Sequence, residues 1–151
     1  MKGFSLTKGD GTRIRFRGTS MTIKVTAEQT NDAYAFIEML HPPSVGPALH
    51  IHPRGPEAFY VLEGRYTIRS GDDRYAAGPG DFVFIPKGLP HSYQSGPEGG
   101  TVLVIAPAGL ERYFSEVAKA LTQGPLPWEI EQDIAKRHGQ EFLEQFQHWA
   151  P

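Results

Sequence analysis

The sequence predicts an all-β domain, a sandwich or barrel, followed by a helical C-terminal extension. Three observations predict it. Short apolar and β-branched runs with period-two alternation recur up to about residue 106. Clusters of Gly, Pro and Asp punctuate the chain, which carries 17 Gly and 13 Pro in 151 residues, as many turns between short strands require. Beyond Pro107 the apolar spacing changes to that of a helix.

The first alternating stretch is residues 12–26, with Thr12-Arg13-Ile14-Arg15-Phe16-Arg17 followed by Met21-Thr22-Ile23-Lys24-Val25. Arg13, Arg15 and Arg17 share one strand face, which reads as a charged solvent face discouraging edge pairing in preference to an anion site. Further strand runs are Ala33–Leu40, Ala58–Leu62, Arg65–Arg69, Asp81–Ile85 and Thr101–Ile105. Turn signals fall at Pro42-Pro43, Arg54-Gly55-Pro56, Ser70-Gly71-Asp72-Asp73, Gly78-Pro79-Gly80 and Gly96-Pro97-Glu98-Gly99-Gly100. Leu110, Tyr113, Phe114, Val117 and Leu121 are then spaced for one helix, stopped at Gly124-Pro125. A second helix follows Pro127, with Ile130 and Ile134 on one face and Gly139 as its stop. A third short helical stretch is expected over Glu141–Trp149. The apolar helix faces are expected to pack outside the barrel or against a second subunit.

Composition narrows the function. A formal charge of -2 gives no general attraction to nucleic acid or to an anionic membrane. The chain has no cysteine, so disulfides, thiolate metal sites and cysteine nucleophiles are excluded. It shows no apolar signal segment and no run approaching the roughly 18 apolar residues of a membrane span, so a cytoplasmic protein is the expectation. Asp133-Ile134-Ala135-Lys136-Arg137-His138-Gly139 is similar to part of a helix-turn-helix, but Glu129, Glu131, Asp133, Glu141 and Glu144 surround it, against only Lys136 and Arg137. No hydrolase elbow, phosphate loop or dinucleotide fingerprint is present.

The chemistry concentrates in four residues. His50 and His52 stand two apart on a strand-like segment, so both imidazoles face the same side. Glu57 opens the next strand after the Pro53–Pro56 turn, and His91 follows the turn Pro86-Lys87-Gly88-Leu89-Pro90. Three imidazoles and a carboxylate suit one divalent ion among Fe, Mn, Ni, Co, Cu and Zn, whereas Ca and Mg prefer oxygen-only ligation. Ala48 shares parity with His50, Phe59 with Glu57, and Tyr93 with His91, which nominates these three for a pocket beside the ion; Tyr60 should face away. His41 reads as a loop residue, His138 as a helix-end residue, His148 as surface and Arg54 as a solvated turn residue rather than an anion anchor.

These residues come with a frame of glycines and prolines. The segment G-P-A-L-H-I-H-P-R-G-P-E-A-F-Y-V-L-E-G, from Gly46 to Gly64, and G-D-F-V-F-I-P-K-G-L-P-H-S-Y-Q-S, from Gly80 to Ser95, resemble the two signature motifs of the cupin superfamily. Two positions depart from the pattern: the first glycine precedes His50 by four residues instead of six, and Ser95 replaces the terminal Asn. The resemblance implies a single cupin jelly-roll β-barrel over about residues 4–107, with a helical extension over about 108–151 packed outside. It implies His50, His52, Glu57 and His91 as metal ligands and a homodimer. The tail segments Pro107–Phe114 and Ala135–Phe142 look like those of quercetin-dioxygenase-like bacterial cupins, which implies metal-dependent dioxygenation of an aromatic enol such as a flavonol. Glu57 would then also accept the substrate's proton. A non-catalytic small-molecule or metal-binding cupin, and a cupin isomerase, epimerase or decarboxylase, remain alternatives.

Overall fold

The computed structural model describes residues 2–145 and Trp149. The chain runs β1 (Thr12–Phe16), β2 (Thr19–Val25), β3 (Ala35–His41), β4 (His50–Ile51), β5 (Glu57–Ser70), β6 (Asp73–Ala77), β7 (Phe82–Ile85) and β8 (His91–Ala106). Helices α1 (Leu110–Leu121) and α2 (Trp128–Arg137) follow, then β9 (Glu141–Phe142). Every strand pairing is antiparallel, and one nine-stranded sheet results. Its main path is β1-β2-β3-β8-β4-β9, with β5 joining β8 to β6 and β7. Hydrogen bonds do not close this sheet into a complete ring among the described residues, although the architecture is cupin-like.

The alternation seen in sequence is the alternation of burial. Along β3, Ala35, Ile37, Met39 and His41 point into the core while Leu40 lies outside. In β5, Glu57, Phe59 and Val61 are buried and Tyr60 and Leu62 are exposed. The buried set then switches parity to Tyr66, Ile68 and Ser70. The register shifts between Val61 and Tyr66, around Gly64 with its φ of 74°. A β-bulge changes which face a strand presents, so one strand covers both runs that read as separate in sequence. β8 behaves alike: His91, Tyr93 and Ser95 point inward, then Val102, Val104 and Ala106. Its Gly96–Gly100 segment, expected to be a turn, is instead the bend of a continuous strand. Gly64 pairs with Gly100 there, and a Cβ on Gly64 would lie 2.2 Å from the Gly99 carbonyl oxygen.

Helix α1 buries Leu110, Tyr113, Phe114 and Val117, with Phe114 set edge-on to Phe16 at 5.0 Å. These side chains pack into the chain's own core. Helix α2 buries Ile134 but leaves Ile130 49% exposed, so the expected two-isoleucine face is not the packing face. Gly139, at φ 79°, ends α2, where Gln140 N–H donates to the Ala135 carbonyl. The third helix expected over Glu141–Trp149 does not form: Glu141–Phe142 is strand, the next three residues and Trp149 are irregular, and residues 146–148, with His148, lie outside the described residues. β9 pairs with β4, and a ladder partner outweighs helical spacing over so short a segment. The arginine face also differs. Arg13 and Arg15 are exposed, but Arg17 leaves the strand at φ 45° and grips buried Glu131 through two bonds of 3.0 and 2.5 Å. No helix among the described residues is long and apolar enough to cross a membrane.

Candidate metal centre

Three pieces of backbone bring the four residues together. β4 carries His50 and leads into His52; β5 begins at Glu57; β8 begins at His91. His50 stands directly across the ladder from His91. Gly88 N–H donates to the His52 carbonyl at 3.0 Å, tying the turn before β8 to the segment after β4. All four side chains are buried, and one ligand atom from each lies within 4.8 Å of the others. The imidazole centroids are 4.3 to 4.9 Å apart.

Local hydrogen bonds orient the rings. His50 Nδ1 meets the Ala48 carbonyl at 2.7 Å and His91 Nδ1 meets the Leu89 carbonyl at 2.8 Å. A carbonyl only accepts, so both Nδ1 atoms carry a proton, and whenever such a ring is neutral its lone pair is on Nε2. The Glu57 oxygens face His91 Nε2 at 3.2 Å and His52 Nε2 at 3.4 Å. Neither ring nitrogen of buried His52 makes a hydrogen bond in the described structure. Buried polar atoms without partners are uncommon, and a donor set of imidazole lone pairs and a carboxylate is what a divalent ion satisfies. The cluster therefore fits a cupin metal site.

Electrostatics agree. Burial pushes the Glu57 carboxyl up, but the neighbouring His52 and His91 imidazoles outweigh it and hold the group below the usual carboxylate range. Burial, reinforced by His91 and His52, holds His50 well below its ordinary value, so it stays neutral and able to donate its lone pair.

A cavity of about 20 Å³ adjoins the cluster, lined by His50, Glu57, Phe59 and Tyr93 with Met39 and Val104 beneath. Tyr113 and Phe114 from α1, Phe142 from β9 and Trp149 close it. Phe59 and Tyr93 thus stand where parity puts them, and Tyr60 faces solvent. Ala48 is buried but does not line this cavity; it acts through its carbonyl on His50. Sequence reasoning missed His41. It is no loop residue but the inward end of β3, with Nδ1 2.8 Å from the Tyr66 hydroxyl and Nε2 3.0 Å from the Tyr93 hydroxyl. Its shared parity with Ile37 and Met39 was the available signal. Arg54 donates to the Arg137 carbonyl, outside the cluster, and His138 bonds Glu116 at 2.7 Å.

Comparison with known proteins agrees with the resemblance over part of the chain. The cupin domain model matches residues 36–106, the span that contains all four side chains. Residues 36–106 are a cupin domain. A 91-residue stretch of the chain is 29% identical to quercetin 2,3-dioxygenase of Bacillus subtilis (strain 168), covering 60% of this chain and 27% of that protein. The chain thus spans about a quarter of the length of the curated relative it matches. An RmlC-like cupin from Shewanella frigidimarina superposes with a TM-score of 0.61 at 18% identity, over 74% of this chain and 96% of that one. The polyketide cyclase RemF from Streptomyces resistomycificus superposes at 0.58 with 26% identity, over 70% and 80%. A predicted oxalate decarboxylase from Thermotoga maritima superposes at 0.54 with 24% identity, over 64% and 90%. The cupin fold is common to all of these, and it carries different chemistries.

Proposed function

We propose that His50, His52, Glu57 and His91 hold one divalent ion of Fe, Mn, Ni, Co, Cu or Zn, and that this cupin is a metal-dependent dioxygenase acting on a small aromatic or enol substrate of the flavonol kind. The observation that supports the centre best is buried His52, with neither ring nitrogen hydrogen-bonded, beside the buried carboxylate of Glu57. When bound there, such an ion would supply Lewis-acid polarisation of an enol oxygen and, if redox-active, electron exchange with dioxygen. Glu57, held ionised, accepts the proton of an enol hydroxyl placed in the cavity. Phe59, Val104 and Met39 give that position apolar walls, which favour an uncharged aromatic ligand over a carboxylate or sugar phosphate. The similarity to a quercetin dioxygenase supports the reaction class.

The similarity to a polyketide cyclase covers more of both proteins and favours a second reading, ring closure of an enol-bearing ligand without oxygen. Elemental analysis of untagged protein beside His91→Ala tests the centre. Near one equivalent of metal, lost in the variant, is expected; no metal even after reconstitution overturns it. Oxygen uptake with flavonols separates the two reactions. Glu57→Gln should keep part of the metal and lose turnover, and full activity in that variant removes Glu57 as the base.

Assembly as a homodimer is also proposed, through the outer sheet face rather than the helices. Tyr60, Phe82, Phe84 and Ile105 are each at least 44% exposed on neighbouring strands β5, β7 and β8, whereas Tyr113 and Phe114 are buried.

A further inference from the structure

We propose that Gln140 is a specificity-determining residue beside the candidate centre, and that its side-chain amide donates to the carbonyl oxygen of a neutral ligand whose adjacent hydroxyl meets Glu57. This rests on reading the cluster as a small-molecule site. Gln140 is 3% exposed and lines the same cavity as His50 and Glu57. Its amide, with two N–H donors and a carbonyl acceptor, makes no hydrogen bond among the described residues. The two tyrosines of the cavity wall are engaged elsewhere: the Tyr93 hydroxyl pairs with His41, and the Tyr113 hydroxyl donates to Glu131. Buried polar groups without partners are uncommon, and a ligand oxygen is the partner this amide is placed to take.

The fold holds the amide where it stands. Gly139, at φ 79°, turns the chain out of α2, and the Gln140 N–H closes onto the Ala135 carbonyl at 2.9 Å. β9 follows at once, with Phe142 paired to His50 and the Leu143 N–H donating to the Leu49 carbonyl at 2.8 Å. Gln140 is thus pinned between a helix end and the strand that carries His50, so little backbone freedom is lost when a ligand arrives. Met39, Phe59, Val104 and Phe142 give the cavity apolar walls, and no lysine or arginine lines it among the described residues. A carboxylate accepts and an amide N–H donates, so the pair matches a hydroxyl next to a carbonyl, while an anion would find no counter-charge. At about 20 Å³ the cavity admits one small polar group, so the choice is made at the oxygen edge of the ligand and not by its rings. Gln140 lies beyond residue 106, where the family match ends, so the helical extension adds this selectivity to the cluster.

The test uses full-length protein stripped of metal with a chelator, which keeps metal chelation out of the comparison, and two single-ring probes. Maltol and o-cresol both carry a methyl beside a hydroxyl; maltol also has a carbonyl beside that hydroxyl. By calorimetry, wild-type protein should bind maltol about tenfold tighter than o-cresol, and Gln140→Met should lose that preference while binding o-cresol as before. The urea midpoint of Gln140→Met should be no lower than that of wild type, because an apolar chain of similar length replaces an amide that has no partner in the fold. Equal binding of the two probes by wild type, no binding of maltol, a preference kept in Gln140→Met, or a lowered midpoint overturns the assignment. Metal content is measured on separate reconstituted samples. Metal uptake with a maltol preference that Gln140→Met leaves intact refutes this inference alone; a preference abolished by Gln140→Met, in a protein that never takes metal, refutes the proposed function alone.

Discussion

Gly46 provides the sharpest test of how the site is held. It is buried, and a Cβ built on it would lie 1.8 Å from the Tyr93 carbonyl oxygen and 2.8 Å from its carbon. Real Cβ atoms do not approach closer than 3.0 Å, so Gly46→Ala must separate two backbones by more than an ångström. Those backbones are joined beside the clash by Ser95 N–H to the Val45 carbonyl at 2.9 Å and Val45 N–H to the Ser95 hydroxyl at 3.0 Å. Losing two buried hydrogen bonds costs about 2–3 kcal/mol, and disturbed packing brings the expected loss to about 3–4 kcal/mol. That is a large part of a typical stability of about 5–15 kcal/mol. Gly88→Ala is the comparison: φ is 78° but nothing lies within 4 Å, so only a conformational cost of about 1–2 kcal/mol applies. Urea unfolding of both variants measures the difference. A Gly46→Ala protein within about 1 kcal/mol of wild type, or no worse than Gly88→Ala, would refute the close-approach reasoning. Because Ala48 and His50 follow Gly46, metal affinity should fall together with stability.

Other expectations concern the core and the surface. Burial lowers His41 from 6.5 to about 3, so between these values the unfolded chain binds a proton that the folded chain refuses. Stability therefore falls with pH across that window, by up to ~5 kcal/mol at about 1.36 kcal/mol per unit, and His41→Gln should flatten the slope of urea-derived stability against pH. An unchanged slope would show that His41 takes up its proton when folded. Arg17→Ala removes two charge-assisted bonds to buried Glu131, whose carboxylate also accepts the Tyr113 hydroxyl at 2.8 Å, and should cost about 2–3 kcal/mol in thermal or urea unfolding. The double change Tyr60→Lys and Phe82→Lys should lower the sedimentation coefficient to that of a monomer; a coefficient unaffected by it removes the outer sheet face as the dimer contact.

The residues that bear the candidate chemistry were legible because each of them is marked locally. His50 and His52 announce a shared side by their spacing, and Gly-Pro turns frame Glu57 and His91. Alternation likewise exposed most strands, and the 110–121 spacing revealed α1. What stayed hidden depends on partners distant in the chain. His41 gains its role from hydroxyls 25 and 52 residues away. Gly64 and the Gly96–Gly100 run resemble turns in isolation and become a bulge and a bend only because each faces the other across a ladder. The two-residue β9 is too short to have a period at all, so helical spacing around it misled. Arg17 looked like the third member of a charged stripe until Glu131, from the far end of the chain, claimed it.

The return of the chain as β9 has a consequence for anyone cutting this protein down. β4, the strand that carries His50, is pinned from one side by His91 and from the other by Phe142, with Glu141 bonded alongside Ile51. The family match ends at residue 106, well before that second pin. A fragment trimmed to the family boundary would keep every candidate ligand and leave the shortest of their supporting strands with a bare edge. The minimal unit that preserves the centre is therefore longer than the minimal unit recognisable as a cupin, and boundaries for grafting or truncation belong beyond Leu143, whose N–H still holds the Leu49 carbonyl at 2.8 Å.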